Sequence, residues 1–216
     1  MNFSLIKDAL EKAITGEVRF DQPTRILYST DASIYQIEPL GVAFPRTIDE
    51  LSACVGIAAA HSIPILARGS GSSLAGQAIG PALILDCSRY LHNLIEINPD
   101  ERTAIVEPGV ILDSLNKKAR EFGLQFGPDP ASAERATMGG VLANNASGAH
   151  SIAFGMAADH LLSAEVVLAD GTLANFEPVS LQEAQRRSSQ NNNLESAFYR
   201  AAIHIRNNCA DDIRQN

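Results

Sequence analysis

The sequence predicts an α+β chain folded as two lobes. Apolar runs of strand length, Val42-Ala43-Phe44 and residues 82–86 among them, stand beside amphipathic stretches of helical period. The two kinds do not alternate as an even βαβαβ series, so a doubly wound parallel sheet is not expected. A series of short strands and a helix occupies about residues 40–95, and another about residues 100–176. With 216 residues, 45% of them apolar, each lobe has the side chains for its own core.

Residues 1–37 form an N-terminal segment. It opens with MNFSLIKDALEKAITGE, a helical pattern with Leu5, Ile6, Ala9, Leu10, Ala13 and Ile14 on one stripe and Gly16 as its stop. A polar stretch marked by Pro23 follows over residues 19–36. Residues 38–216 form the main domain. Val42-Ala43-Phe44 reads as a strand ended by Pro45. Thr47 and Glu50 have capping-box spacing and open a helix with Leu51, Cys54, Val55 and Ala58 inward, stopping before Pro64. Ile65-Leu66-Ala67 reads as a buried strand, residues 82–86 as another, and residues 103–107 as a third, closed by Pro108-Gly109. A helix with Ile111, Leu112, Leu115, Ala119 and Phe122 inward ends at Gly123. Residues 165–169 read as a strand with Asp170-Gly171 as its hairpin turn. A helical tail occupies residues 177–216, with SSQNNN at 188–193 as a polar linker. Residues 194–206 then read as a helix with Leu194, Phe198, Ala201, Ala202 and Ile205 inward.

Composition excludes several functions. Lys and Arg number 17 against 25 Asp and Glu, a formal net charge of −8, and no basic stripe is present to neutralise phosphates. Nucleic acid is therefore not an expected partner. The longest runs without strongly polar side chains, residues 53–60 and 78–85, fall far short of the roughly twenty residues that span a membrane. The N-terminus lacks the apolar core and cleavage site of a secretory signal. Cys54, Cys87 and Cys209 show no zinc or iron–sulfur spacing, and His61, His92, His150, His160 and His204 show none either. No metal site is expected, and a reduced, cytoplasmic protein is, with Cys54 and Cys87 in the core.

Two stretches carry candidate chemistry. Arg68-Gly69-Ser70-Gly71-Ser72-Ser73-Leu74-Ala75-Gly76-Gln77 lies between two apolar strands. Glycine permits positive φ and close backbone approach, and such a run can present N–H groups and hydroxyls as an anion-binding nest. The familiar phosphate spacings fail: GxGxxG from Gly69 would need glycine where Leu74 stands, and a P-loop would need lysine where Gln77 stands. A tolerant surface turn is the plain alternative. Arg68 is either a cation at the loop's mouth or half of an ordinary surface ion pair.

The second stretch, residues 127–155, reads GPDPASAERATMGGVLANNASGAHSIAFG. Asn144, Asn145 and Ser147 give directional donors and acceptors without a charge suited to acid–base work. Small residues around them (Gly139, Gly140, Ala143, Ala146 and Gly148) would let a flat polar ring lie against the backbone. An Asn-capped turn between helices is the alternative. His150 is the histidine that stands beside this pocket.

ARGSGSSLAGQ, IVEPGV, GPDPAS, TMGGVLANNASG and AEVVLADGT, in this order, resemble the FAD-binding domain of FAD-linked oxidases, the PCMH-type or vanillyl-alcohol-oxidase fold. Within that fold the likeness is to D-lactate, glycolate and D-2-hydroxyglutarate dehydrogenases, particularly long forms that continue into an iron–sulfur module. It covers about residues 20–206. The resemblance implies that Gly69, Ser70, Gly71, Ser72 and Ser73 wrap the FAD pyrophosphate, with Arg68 at one end of the loop and Gly76 and Gln77 at the other. It implies that Asp129, Pro130, Ala131 and Ser132, with Thr137, Met138, Gly139 and Gly140, line the flavin ring and ribityl chain. Asn144, Asn145, Ser147 and Gly148 would complete the pocket, and the strand at residues 165–168 would meet the adenine end.

Some relatives bind flavin covalently through a histidine in the first loop. Ser72 stands at that place, so non-covalent FAD is expected. The implied activity is oxidation of a small 2-hydroxy acid of D configuration by hydride transfer to FAD, with an electron-acceptor or iron–sulfur partner. In the family a later stretch closes the FAD domain and a substrate domain follows. The domain is thus expected to be incomplete at its C-terminus, and no catalytic acid or base is named. The competing reading is a catalytically silent FAD-binding or interaction module that needs a partner chain for turnover. Nicotinamide-dependent reductases and molybdenum-enzyme flavin subunits share the fold, and the DPAS and NNASG blocks favour the hydroxy-acid branch.

Overall fold

A computed structural model describes residues 3–215; the ends of the expected N-terminal helix and C-terminal tail, Met1, Asn2 and Asn216, lie outside the described residues. The chain divides into two compact units, residues 1–161 and 162–216.

In the first unit, helix α1 spans Phe3–Ala13. Its inward line is Ile6, Leu10 and, just past the end, Ile14, all buried, while Leu5 and Ala13 are exposed. The expected stripe was one residue too wide on each side. Two elements that the sequence reading did not anticipate follow it: strand β1, Glu17–Arg19, and helix α2, Gln22–Leu27. Asp21 caps α2 by accepting from Thr24 N at 3.0 Å, and Pro23 lies in its first turn.

Strand β2 (Gly41–Phe44) leads to helix α3 (Ile48–Ala60), which buries Cys54, Val55 and Ala58. Thr47 Oγ1 accepts from Glu50 N at 3.2 Å, the expected half of the capping box. The Glu50 carboxylate goes elsewhere: it accepts from Thr15 N at 2.8 Å, Thr15 Oγ1 at 2.6 Å and Arg46 N at 2.8 Å. Burial pushes the Glu50 pKa up, and the hydrogen bonds from Thr15 and Arg46 outweigh it, holding the group below its ordinary value.

Strands β3 (Ile65–Arg68) and β4 (Leu83–Asp86) complete a four-stranded sheet in the order β1-β2-β4-β3. β2, β4 and β3 run parallel, and β1 is antiparallel. β4 is central and wholly buried; β3, expected to be buried, is an edge strand with Ile65 39% exposed. Cys54 and Cys87 lie in the core of this unit, and burial pushes both thiols up to about 12.

A two-stranded antiparallel ladder follows, β5 (Leu94–Asn98) with β6 (Thr103–Val106). Helix α4 (Leu112–Ala119) tightens into a 3-10 turn at Arg120–Phe122 and ends on Gly123 at φ 70°. That tightening rotates Phe122 off the inward face, where it was expected, leaving it 51% exposed. Helices α5 (Met138–Ala143) and α6 (Ser151–Phe154) arise within the glycine-rich stretch. Val110, Leu112, Leu115, Ala136, Met138, Val141 and Ala157 form one core cluster, which seats α5 on α4.

In the second unit, β7 (Ala164–Val167) and β8 (Leu173–Phe176) form the expected hairpin, with Asp170 Oδ1 accepting from Thr172 N at 3.0 Å. Helix α7 (Leu181–Gln190) takes in the first half of the expected linker. Ser188 and Ser189 donate back to Gln185 O, at 2.7 and 3.2 Å, so their hydroxyls are satisfied inside the helix. Helix α8 (Leu194–Asn208) buries Ser196 and Tyr199, while Phe198, Ala201, Ala202 and Ile205, expected inward, are exposed. Polar anchors set this rotation: Ser196 Oγ donates to Arg187 O at 2.9 Å, and Arg187 Nη1 donates to Tyr199 Oη at 3.0 Å. Helix α9 (Ala210–Gln215) follows. Among the described residues no helix is long and apolar enough to cross a membrane.

Candidate functional site

β3 and β4 run parallel and end together, with Arg68 opposite Asp86. The Gly/Ser loop therefore starts at the carboxyl end of the parallel strands, where open α/β sheets receive ligands. Gly71 (φ 70°) and Gly76 (φ 80°) are left-handed, the backbone freedom that the nest requires. Ser73 Oγ accepts from Gln77 N at 3.3 Å and donates to Gln77 Oε1, closing the loop's far end. The Ser70 and Ser72 hydroxyls lie 3.4 Å apart. No carboxylate stands between positions 69 and 77 to repel an anion.

Arg68 is engaged with main-chain oxygens. Its Nη1 donates to Ala78 O at 2.9 Å and Tyr28 O at 3.3 Å, and its Nη2 to Thr30 O at 2.8 Å. The guanidinium also lies 5.1 Å from the centre of the Tyr28 ring. Burial lowers its pKa from the ordinary value, opposed by Tyr28, Asp86 and Asp31. Tyr28 Oη donates to Asp86 Oδ2 at 2.5 Å, and burial followed by this bond raises the phenol's pKa.

The glycine-rich second region forms the opposite wall. Met138 N donates to Val110 O at 2.7 Å and Gly139 N to Pro108 O at 2.8 Å, pinning the start of α5 against the Pro108 turn. A side chain on Gly139 would meet Pro108 Cβ at 2.8 Å. The two regions then touch: a Cβ on Gly69 would sit 2.0 Å from Thr137 Oγ1. Gln77 Nε2 donates to Asn144 Oδ1 at 3.2 Å, and Asn144 Nδ2 donates to Gly140 O at 3.0 Å. Gly69, Gln77, Thr137, Gly140 and Asn144 are thereby gathered into one group. Met138 is 4% exposed and packs into the core, so what it offers the wall is backbone.

A second contact brings Gly148 against Asp129 and Pro130. A Cβ on Gly148 would fall 1.9 Å from Asp129 O and 2.6 Å from Pro130 N, so NNASG lies directly on DPAS. Pro130 O accepts from Ala133 N at 2.9 Å, and Ser132 O accepts from Ala136 N at 2.7 Å. His150 Nδ1 stands 3.6 Å from Asp129 Oδ2. Asn145, at φ 44°, accepts from Ala158 N at 2.9 Å and donates to Met156 Sδ at 3.8 Å, which ties down the turn. Ala131 and Ser147 are exposed.

These residues fit a dinucleotide carrying a flat polar ring. The loop offers backbone N–H groups and hydroxyls around left-handed glycines, suited to a pyrophosphate. The wall offers Gly139, Gly140 and Ala143, with an amide at Asn144, suited to a ring lying on backbone. One contributor was not singled out from the sequence. Ala32 N donates to Gly71 O at 3.1 Å, and Asp31 Oδ2 accepts from Ala78 N at 3.3 Å. Asp31 Oδ1 also accepts from Ser33 N at 2.9 Å, so Asp31-Ala32-Ser33 is an Asx turn, the available signal.

Residues 39–177 match the family described as an FAD binding domain. The chain is 34% identical over 197 residues to the Escherichia coli (strain K12) protein named D-2-hydroxyglutarate dehydrogenase, covering 90% of this chain and 19% of that protein. It is 34% identical over 177 residues to the Bacillus subtilis (strain 168) protein named glycolate oxidase subunit GlcD, covering 78% of this chain and 37% of that one. Among solved structures, an alkyldihydroxyacetonephosphate synthase superposes with a TM-score of 0.71 at 22% identity, over 83% of this chain and 38% of its own. At that identity the likeness is one of fold, and it is the fold that the motif blocks implied. A match over more than half of its length, reaching from β2 through both glycine-rich regions, places the chain in the family of FAD binding domains whose named relatives are dehydrogenases and oxidases.

Proposed function

We propose that this chain holds FAD, without a covalent bond to it, for the oxidation of a small D-2-hydroxy acid. The observation that carries the reading is the meeting of the two glycine-rich regions at Gly69 and Thr137, with Gln77 donating to Asn144 beside it. The names of the Escherichia coli and Bacillus subtilis relatives support the substrate class. In this reading the N–H groups of residues 69–73 bind the pyrophosphate. Thr137, Gly139, Gly140 and Asn144 carry the flavin, and Asp129, Pro130, Ala131, Ser132, Asn145, Ser147 and Gly148 shape the end of the pocket. Bound FAD supplies the hydride acceptor. An electron-acceptor or iron–sulfur partner and a cytoplasmic setting belong to the same reading.

The test is a flavin titration. FAD should bind at least about tenfold more tightly than FMN, a difference of about 1.4 kcal/mol, because FMN lacks the pyrophosphate that the loop receives. Equal affinities, read by quenching of flavin fluorescence, would remove the pyrophosphate role from residues 69–73. Acid or heat denaturation should release all the flavin into the supernatant, since Ser72 cannot form a histidyl link; flavin left on the precipitated chain would contradict this. The substrate class is tested by supplying, as a separate polypeptide, the residues that the Escherichia coli enzyme carries beyond the matched stretch. Anaerobic addition of D-2-hydroxyglutarate, D-lactate or glycolate should then bleach the flavin band, and the L-acids should not.

A further inference from the structure

The segment over residues 28–35 precedes the residues matched by the family, yet it holds the Gly/Ser loop at both of its left-handed glycines. At the first, Ala32 N donates to Gly71 O at 3.1 Å. At the second, a Cβ on Gly76 would lie 3.1 Å from the Tyr35 ring and 3.8 Å from Ser33 Oγ. Past the loop's end, Asp31 Oδ2 accepts from Ala78 N at 3.3 Å. Arg68, at the loop's beginning, binds the same segment through Tyr28 O and Thr30 O and reaches across to Ala78 O. Gly71 makes this geometry possible, because a side chain there would sit 2.5 Å from Arg68 Nη2.

We propose that residues 28–35 are a brace that fixes the 69–77 loop in its cofactor-receiving shape before the cofactor arrives, with Arg68 and Asp31 as positioning residues. Asp31 takes part through its carboxylate. It accepts an N–H group from Ser33 within the brace and another from Ala78 just past the loop's end, so that one side chain ties the two together. Arg68 acts in the same way: its charge neighbours the site, but its donors serve carbonyls of the brace and of the loop's exit. Ordering the loop in advance removes an entropy cost that binding would otherwise bear.

This inference rests on the FAD reading for its purpose, and its test separates the two. Hydrogen exchange of the ligand-free 216-residue chain is followed over peptides covering residues 69–78 and, as a control, 138–143. Arg68→Lys keeps the charge but cannot fork to three carbonyls, and Asp31→Asn keeps the shape but can accept only one of the two N–H groups. Both variants should exchange the 69–78 amides roughly tenfold faster with the control peptide unchanged, because each loses hydrogen bonds local to the loop. Both should bind FAD roughly tenfold more weakly at nearly unchanged melting temperature. Unchanged exchange over 69–78 in the folded variants overturns the brace, and faster exchange with unchanged FAD affinity overturns its positioning role. Should Arg68→Lys fail to fold, Asp31→Asn yields the same readings. A wild-type chain that binds neither flavin would overturn the FAD reading alone, since the exchange measurement stands without a ligand.

Discussion

Gly148→Ala should cost the chain at least tenfold in FAD affinity, with a clear loss of thermal stability. The new Cβ would lie 1.9 Å from Asp129 O, 2.0 Å from its carbonyl carbon and 2.6 Å from Pro130 N. All three are backbone atoms, so no flexible side chain can swing aside. Forced shifts of this kind typically cost about 1–3 kcal/mol. Part of that displacement must reach the pocket, because Pro130 O holds Ala133 N, and Ser132 O holds Ala136 N beside Thr137. The contrast is Gly123→Ala. Gly123 has φ 70° but nothing within 4 Å of the added atom, so it should lose only the roughly 1–2 kcal/mol of a left-handed non-glycine residue. Its FAD affinity should not change. Flavin titration and thermal melting of the two variants check the contrast, and an unchanged affinity in Gly148→Ala would show that the contact between NNASG and DPAS does not shape the site.

Leu112→Ala should lower the unfolding free energy by about 2–5 kcal/mol, a large share of the roughly 5–15 kcal/mol that a domain commonly has. Leu112 is 0% exposed in the cluster that includes Leu115, Met138 and Val141. The loss combines the transfer of the removed atoms with a cavity that α4 and α5, pinned to neighbouring turns, cannot collapse to fill. Urea unfolding should show a lower midpoint with an unchanged slope. FAD affinity should fall as well, since the same cluster seats α5, the helix that Thr137 precedes. A midpoint shift corresponding to less than about 1 kcal/mol would mean that the cluster relaxes around the hole.

Some of the candidate site's geometry left a mark in the sequence. Left-handed Gly71 and the closeness of Gly148 to Asp129 are backbone needs that only glycine meets, and such needs show as glycines at fixed places in the sequence. The contacts between Gly69 and Thr137 and between Gln77 and Asn144 are tertiary, and no local pattern announces them. β1 was hidden because three residues, Glu17-Val18-Arg19, show a single apolar position, too short a run for any period to register. β3 was misread as buried because Ile65-Leu66-Ala67 is as apolar as a central strand, and only the sheet order puts it at an edge. The rotation of α8 was misread because Tyr199 is held inward by a hydrogen bond from Arg187, and hydrophobicity alone ranks Phe198 above it. The brace went unnoticed for a related reason: its contacts with the loop and its ends, from Ala32 N, Tyr28 O, Thr30 O and the Asp31 carboxylate, are tertiary and set up no local period.

Burial of two of the three thiols makes the chain a selective substrate for chemical labelling. Cys54 and Cys87 hold their protons to about 12, and a maleimide reacts with the thiolate of an accessible cysteine. Cys209, at the C-cap of α8 and partly exposed, is left as the reactive position. A single dye could therefore be attached to the native protein at Cys209, in the second unit, without mutagenesis.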